Sequence, residues 1–272
     1  MGALQHDSAV EGADGRYVAT LSRDWEIWGP NGGYVAAIAL RAAGAAAPDD
    51  HWPATLSVQY VGVAKFGEIE AEVTPVKQGR SAWLLNVALV QEGRVFLQAQ
   101  VWTTNRTDGP VNADARMPDL PRPDALKFFH ELMPQDAPPR GFWMNFDVKP
   151  IGFMPIGERK PGPAILQEWY RFTDFEAGGD AFLDCARAVI LIDTMIWPTH
   201  HRGLAERPDY IAPSLDLTVW FHEPPTDATW LLADVAADHA GRGLIHGGSR
   251  IWTEDGRLVA TGGSNMLHTQ RR

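Results

Sequence analysis

The sequence predicts an α+β chain of two similar halves, each laying one buried helix against a run of long antiparallel strands. Three observations carry this. Two apolar segments, 31–47 and 180–197, have helical composition and length. Each is followed by stretches of β-branched or alternating residues broken by glycine turns. The second set then repeats the first in order and spacing. Thr55-Leu56-Ser57-Val58-Gln59-Tyr60 is answered by Ser214-Leu215-Asp216-Leu217-Thr218-Val219 at an offset of 159. Gly79-Arg80-Ser81 is answered by Gly241-Arg242-Gly243 at 162, and Glu92-Gly93-Arg94-Val95 by Asp255-Gly256-Arg257-Leu258 at 163. An offset drifting by a few residues is what loop insertions after a duplication leave behind.

Segment 31–47 is rich in Ala, with Tyr34, Val35, Ile38 and Leu40, and is apolar on most sides, as a buried helix is. Asn31 is placed to cap it, and Pro48-Asp49-Asp50 ends it. Strands are expected at 16–21 before the helix and at 54–63, 66–77, 81–91 and 94–104 after it. In 66–77, Ile69, Ala71 and Val73 alternate with Glu68, Glu70 and Glu72. The second half repeats this with a helix over 180–197, stopped by Pro198, and strands at 142–148, 164–172, 214–222, 230–237, 243–253 and 257–267. The units are expected at 1–107 and 141–272. The segment 108–140 between them is rich in Pro and Asp and reads as a linker with one short amphipathic helix near 124–132. Joining the two sheets edge to edge would cover two exposed edges and leave both helices on one side.

Composition narrows the function. The formal net charge of −10 and pI near 5.3 lack the basic footprint of nucleic-acid binding. The single cysteine, Cys185, sits in an apolar stretch, forms no intramolecular disulfide and fits a small core hydrophobe in a reducing compartment. No segment has the features of a signal peptide or approaches the roughly 20 apolar residues of a membrane span. The chain is therefore expected to be soluble and cytoplasmic, with no nucleic-acid or membrane partner. The fused halves already imitate a dimer, while the outer sheet edges leave room for a homodimer of whole chains.

Asp193 is the first candidate for chemistry. Ala186, Val189 and Ile190 precede it on the same helix face, so it shares their core-facing stripe. A carboxylate there is costly unless hydrogen-bonded or used, which leaves a structural and a functional role both open. Gly32, Gly33 and Tyr34 open the first helix. Its N-terminus offers free N–H groups and the positive dipole end to a developing oxyanion, and equally suits a tight entry into a buried helix. The nine histidines form no metal motif, and no cofactor is implied. His200-His201 follow Pro198 and are expected in an exposed loop. His222 reads as structural, and Arg242 as a surface arginine.

Two further stretches carry a family resemblance: Trp28-Gly29-Pro30-Asn31-Gly32-Gly33-Tyr34 into the first helix, and Ser214-Leu215-Asp216-Leu217-Thr218-Val219-Trp220-Phe221-His222 opening the second meander. With Asp255-Gly256-Arg257-Leu258-Val259-Ala260 before the last strand, and the twice-repeated element order, the chain resembles the double hot-dog acyl-CoA thioesterases of the thioesterase II group. The resemblance covers nearly the whole chain except the linker. It implies a tandem double hot-dog, two long buried helices wrapped by a continuous antiparallel sheet, and hydrolysis of an acyl-CoA or other acyl thioester without a covalent intermediate.

It also implies that Asp193 activates a water and that Ser214 helps to position it. The family's third element, a Gln in the last strand, is absent. An ungapped alignment puts Ser264 there, and a one-residue shift puts Asn265 there. Two rivals follow: an acyl-CoA-binding protein with little turnover, supported by the missing Gln, and a hydratase, which would need an Asp–His pair that Pro198 separates in sequence. The acyl chain is expected in an apolar channel lined in part by the eleven tryptophans.

Overall fold

The computed structural model describes residues 2–112, 114–133, 141–155, 158, 160, 162–204, 206 and 208–270. The chain begins with a single helical turn, α1 (Leu4–Asp7), and a hairpin of β1 (Glu11–Ala13) and β2 (Arg16–Leu21). Asp14 and Gly15 turn the hairpin with φ of 53° and 77°, the positive pair that a two-residue hairpin loop demands. Helix α2 (Gly32–Ala46) follows, and then β3 (Trp52–Tyr60), β4 (Gly67–Gln78), β5 (Ala82–Gln91) and β6 (Arg94–Thr104). The second half has a four-residue turn α3 (Phe129–Leu132), then β7 (Phe146–Pro150), β8 (Ile165–Phe172) and the long helix α4 (Ala181–Arg202). After it come β9 (Tyr210–Ile211), β10 (Asp216–Phe221), β11 (Leu231–Gly241), β12 (Leu244–Thr253), β13 (Leu258–Leu267) and β14 (Thr269–Gln270).

Both long helices begin on a side-chain cap. Tyr34 N–H donates to Asn31 Oδ1 at 2.8 Å, and Phe182 and Leu183 N–H donate to Asp180 Oδ1 at 2.8 and 3.3 Å. These bonds satisfy first-turn donors that have no intrahelical acceptor.

Twelve strands make one sheet in the order β1-β2-β4-β5-β6-β3-β10-β13-β12-β11-β8-β7. The order reads the same from either end once the halves are superimposed, and β3 and β10 meet at its centre. They pair antiparallel, with Asp216 opposite Gln59 and Trp220 opposite Thr55. Each half thus covers the edge strand that the other would expose. The fold is the α+β double hot-dog expected from sequence: α2 and α4 pack on each other and on the inner face of this sheet. The core fills the space between, with Ile38, Leu40, Val189, Ile190 and Leu191 fully buried. Cys185 lies within it.

Three expectations need correction. First, α4 does not stop at Pro198 but runs through it to Arg202. Proline removes one N–H from the ladder and its ring crowds the preceding turn. Tertiary contacts outweigh that here: Thr199 Oγ1 donates to Met195 O at 2.6 Å, and Trp197 packs against His201 and Tyr210. Second, His200 is therefore not in an exposed loop. It is buried, with Nε2 2.6 Å from the Tyr210 hydroxyl. Third, the helix expected near 124–132 is a 3₁₀ turn (Pro123–Ala125) and the short α3.

The cause of the third lies on the outer face of the second half's sheet. Trp169, Trp230, Leu232 and Trp252 form a second core there, and Met117, Leu120, Leu126 and Phe128 pack onto it. The linker is a strap, and its backbone follows the sheet rather than its own helical ladder. Buried Lys149 ties it down by donating from Nζ to Pro123 O at 2.8 Å, with the ammonium 4.5 Å from the Phe128 ring centroid. Residues 134–140 of the expected linker lie outside the described residues.

The helix pair depends on Gly33. A Cβ there would fall 2.8 Å from Ile190 Cα and 3.0 Å from Ile190 O, against backbone that cannot move aside. Gly33→Ala is expected to cost about 2 kcal/mol by overpacking. A thermal melt should show this as a Tm lower by roughly 4–8 °C.

Candidate active site

Asp193 projects from α4 toward the N-terminus of α2 and is 3% exposed. Ser214 Oγ donates to its Oδ1 at 2.8 Å, and the Tyr60 hydroxyl donates to the same oxygen at 3.4 Å. Gly33 adds a backbone hydrogen bond. Burial pushes the carboxyl up to about 6, against the pull of these three donors. A carboxylate so poised is mostly ionised at neutral pH and yet basic enough to take a proton. Tyr60 is held well above its ordinary range, first by burial and then by the Asp193 charge, so its hydroxyl keeps its proton.

Local structure fixes each partner. The segment Pro213–Leu215 is stitched to β13: Leu215 N–H donates to Asn265 O at 2.8 Å, and Leu267 N–H donates to Pro213 O at 2.9 Å. This sets Ser214 beside Asp193 just ahead of β10. Tyr60 ends β3, and its N–H donates to Leu215 O at 3.0 Å across the central junction. Asn31 serves twice: its Oδ1 caps α2, and its Nδ2 donates to Thr194 Oγ1 at 3.0 Å, locking the two helices in register next to Asp193.

Gly32 permits a close approach. A Cβ there would sit 2.8 Å from Asp193 Oδ2 and 3.3 Å from the Tyr60 hydroxyl oxygen. The missing methyl lets carboxylate, phenol and helix N-terminus come together. Tyr34 takes no part in it. Its N–H is committed to the Asn31 cap, and its hydroxyl donates to Asp7 O at 2.6 Å inside the core. The Gly33 N–H already serves Asp193, so the oxyanion-binding role expected of the opening turn narrows to Gly32.

Neither last-strand candidate meets Asp193. Ser264 faces the helices but donates to Asp216 O at 2.6 Å, while Asn265 faces the opposite side and donates to Asp216 Oδ2 at 3.1 Å. Successive strand residues point to opposite faces, so the one-residue alignment choice was a choice of face. Tyr60 escaped the sequence reading, although it breaks the repeat: an aromatic hydroxyl stands where the second half has Val219. The tryptophans divide. Trp197, one turn beyond Asp193, meets half-exposed Trp28 edge-on with ring centroids 5.6 Å apart. Trp169, Trp230 and Trp252 belong to the outer core instead. No group of side chains able to hold a metal occurs among the described residues. No helix among them is long and apolar enough to cross a membrane.

With this geometry in place, the comparisons with known proteins decide the family. The family model described as the acyl-CoA thioesterase C-terminal domain matches residues 114–263, and the one described as the acyl-CoA thioesterase N-terminal domain matches 21–104. The chain belongs to the acyl-CoA thioesterase family. It is accordingly an enzyme of the thioester hydrolase class. Acyl-coenzyme A thioesterase 8 of Homo sapiens is 24% identical over 268 residues, covering 89% of this chain and 82% of the relative. The Rattus norvegicus protein of that name is 26% identical, with the same coverage. Among solved structures, a hot-dog protein of unknown function from Alicyclobacillus acidocaldarius superimposes with a TM-score of 0.85 at 22% identity over all of both chains. Acyl-CoA thioesterase II TesB2 from Mycobacterium marinum gives 0.79 at 21%, covering 99% of each chain.

Among the described residues this arrangement occurs at one helix junction, not at both. Counted from the two helix caps, Asp193 in α4 corresponds to Gly44 in α2, and Gly33 in α2 corresponds to Phe182 in α4. At the second junction a Cβ on Gly44 would strike the Phe182 ring at 2.6 Å. There a glycine faces a phenyl ring, where the first junction has the carboxylate facing a glycine.

Gly32→Ala should press its methyl against Asp193 Oδ2 and lower kcat at least tenfold, read by CoA release. Ser214→Ala removes a donor that favours the charged form of Asp193, so the acidic limb of its pH–rate profile should move upward.

Proposed function

We propose that the chain hydrolyses acyl-CoA thioesters by general-base catalysis, with Asp193 as the base and water as the nucleophile. One observation carries this: a buried carboxylate pushed up to about 6 stands against the N-terminus of α2, where the lack of a side chain at Gly32 lets the backbone approach its Oδ2. A water bound beside the carboxylate would donate to Asp193. Ionised Asp193 takes its proton while the water oxygen attacks the thioester carbon. The carbonyl electrons pass to oxygen, next to the first-turn N–H groups and positive end of α2. Collapse breaks the C–S bond, and Asp193 returns the proton to the leaving thiolate.

Ser214 has no Gly-x-Ser-x-Gly elbow around it, and in this proposal it orients the carboxylate through its bond to Asp193 Oδ1 rather than acting as a covalent nucleophile. His200 lies two helical turns from Asp193, about 10 Å along the axis, and is engaged with Tyr210. The Asp–His pair that a hydratase needs is not assembled. The binding-protein reading keeps one observation in its favour, the commitment of Ser264 and Asn265 to Asp216.

Release of free CoA from short, medium, long and aromatic acyl-CoAs tests the proposal. Turnover by the wild type, lowered about 10²–10⁴-fold in Asp193→Asn, is expected for a lost general base. Tight acyl-CoA binding with no CoA released would establish the binding protein instead. Since the active form is the ionised one, kcat/KM should fall with unit slope as pH drops below about 6 and level off above it.

A further inference from the structure

Asp193 and the first turn of α2 leave one part of the reaction without a side chain. The donor that a last-strand carboxamide would have supplied is missing, and Ser264 and Asn265 both serve Asp216. We infer that Tyr60 is a further catalytic residue, whose hydroxyl donates to the thioester carbonyl oxygen as charge develops on it. The inference rests on the hydrolytic reading of Asp193.

Three observations support it. The Tyr60 hydroxyl and Asp193 Oδ2 both stand against Gly32, 3.3 and 2.8 Å from the point that its Cβ would occupy. Base and phenol thus meet the first turn of α2 at the same residue. Next, the Tyr60 bond to Asp193 Oδ1 is long, at 3.4 Å, while Ser214 already binds that oxygen at 2.8 Å. The carboxylate keeps a strong donor when the phenol turns to substrate. Finally, burial and the adjacent Asp193 charge keep the phenol protonated, so it acts as a donor and not as a second base. The strand end that carries the ring is fixed, since Tyr60 N–H is bound to Leu215 O.

In the step itself the water oxygen forms a bond to the carbonyl carbon and the C=O π pair moves to oxygen. The Tyr60 O–H and the Gly32 N–H donate to that oxygen, and neither proton is transferred. When the C–S bond breaks, the pair returns to the C=O bond and the thiolate takes the proton held on Asp193. The donors end as they began, and water and thioester become carboxylic acid and thiol.

Tyr60→Phe keeps the ring and removes only the hydroxyl. Loss of one oriented oxyanion donor should lower kcat about 10²–10³-fold, with KM within about threefold. A side chain that merely positioned Asp193 would give a different signature. Its removal would raise the acidic limb of the pH profile and leave the plateau rate near that of the wild type. That result, or a near-wild-type kcat, would overturn the inference. Fluorotyrosine incorporated at position 60 retains an O–H and should restore kcat, whereas failure to restore it also counts against Tyr60. Asp193→Asn assayed alongside separates the two readings: undiminished turnover there removes the hydrolytic site itself, while a dead Asp193→Asn beside an active Tyr60→Phe removes Tyr60 alone.

Discussion

The structure turns on one contact, the approach of the α2 N-terminus to the Asp193 carboxylate of α4. Two glycines permit it. Gly33 lets the helix backbones close on each other, and Gly32 lets the helix N-terminus come up against the carboxylate. An ionised carboxylate is costly to bury, and here the cost is offset by a helix N-terminus, two hydroxyls and a backbone N–H rather than by a cation. The same arrangement that makes the burial tolerable sets the proton affinity near neutrality. Stability and chemistry are coupled at this junction because both depend on how close α2 comes.

The sheet supplies the rest of the geometry by pairing its halves through β3 and β10. Tyr60 arrives at the end of one of these strands and Ser214 just before the other, so neither half alone contains the donor set. The strap across the outer face has a different task. It buries Trp169, Trp230 and Trp252, which would otherwise be an apolar patch on the second half. Among the described residues the first half has no counterpart to it, and part of its outer face is lined by Ser57, Gln59, Glu72, Thr74, Asn86, Gln98 and Gln100.

Much of this was legible in the sequence because it is local. Ala-rich and Ile-rich segments declare the helices, Asn31 and the alternation around Ile69 mark a cap and a strand, and Asp193 stands out on an apolar stripe. What was not legible is set by distant parts of the chain. Tyr60 acquires its role only when β3 meets β10. Ser264 and Asn265 cannot be told apart until the strand's facing is known. Pro198 obeys the local rule for ending a helix, yet contacts of Trp197, Thr199 and His200 carry the helix past it. Met117, Leu120, Leu126 and Phe128 follow no helical or strand period, since they answer to the spacing of indoles on a sheet.

The ring of Phe182 against Gly44 shows what covalent fusion permits. When two identical chains meet about a twofold axis, every substitution appears at both junctions, so an aromatic that fills one cavity fills the other too. Joining the copies in one polypeptide releases that constraint. One helix junction can then be filled with hydrocarbon packing while its twin keeps a polar group. The filled junction serves as ballast, an abutment that holds the helix pair while the other bears a buried carboxylate.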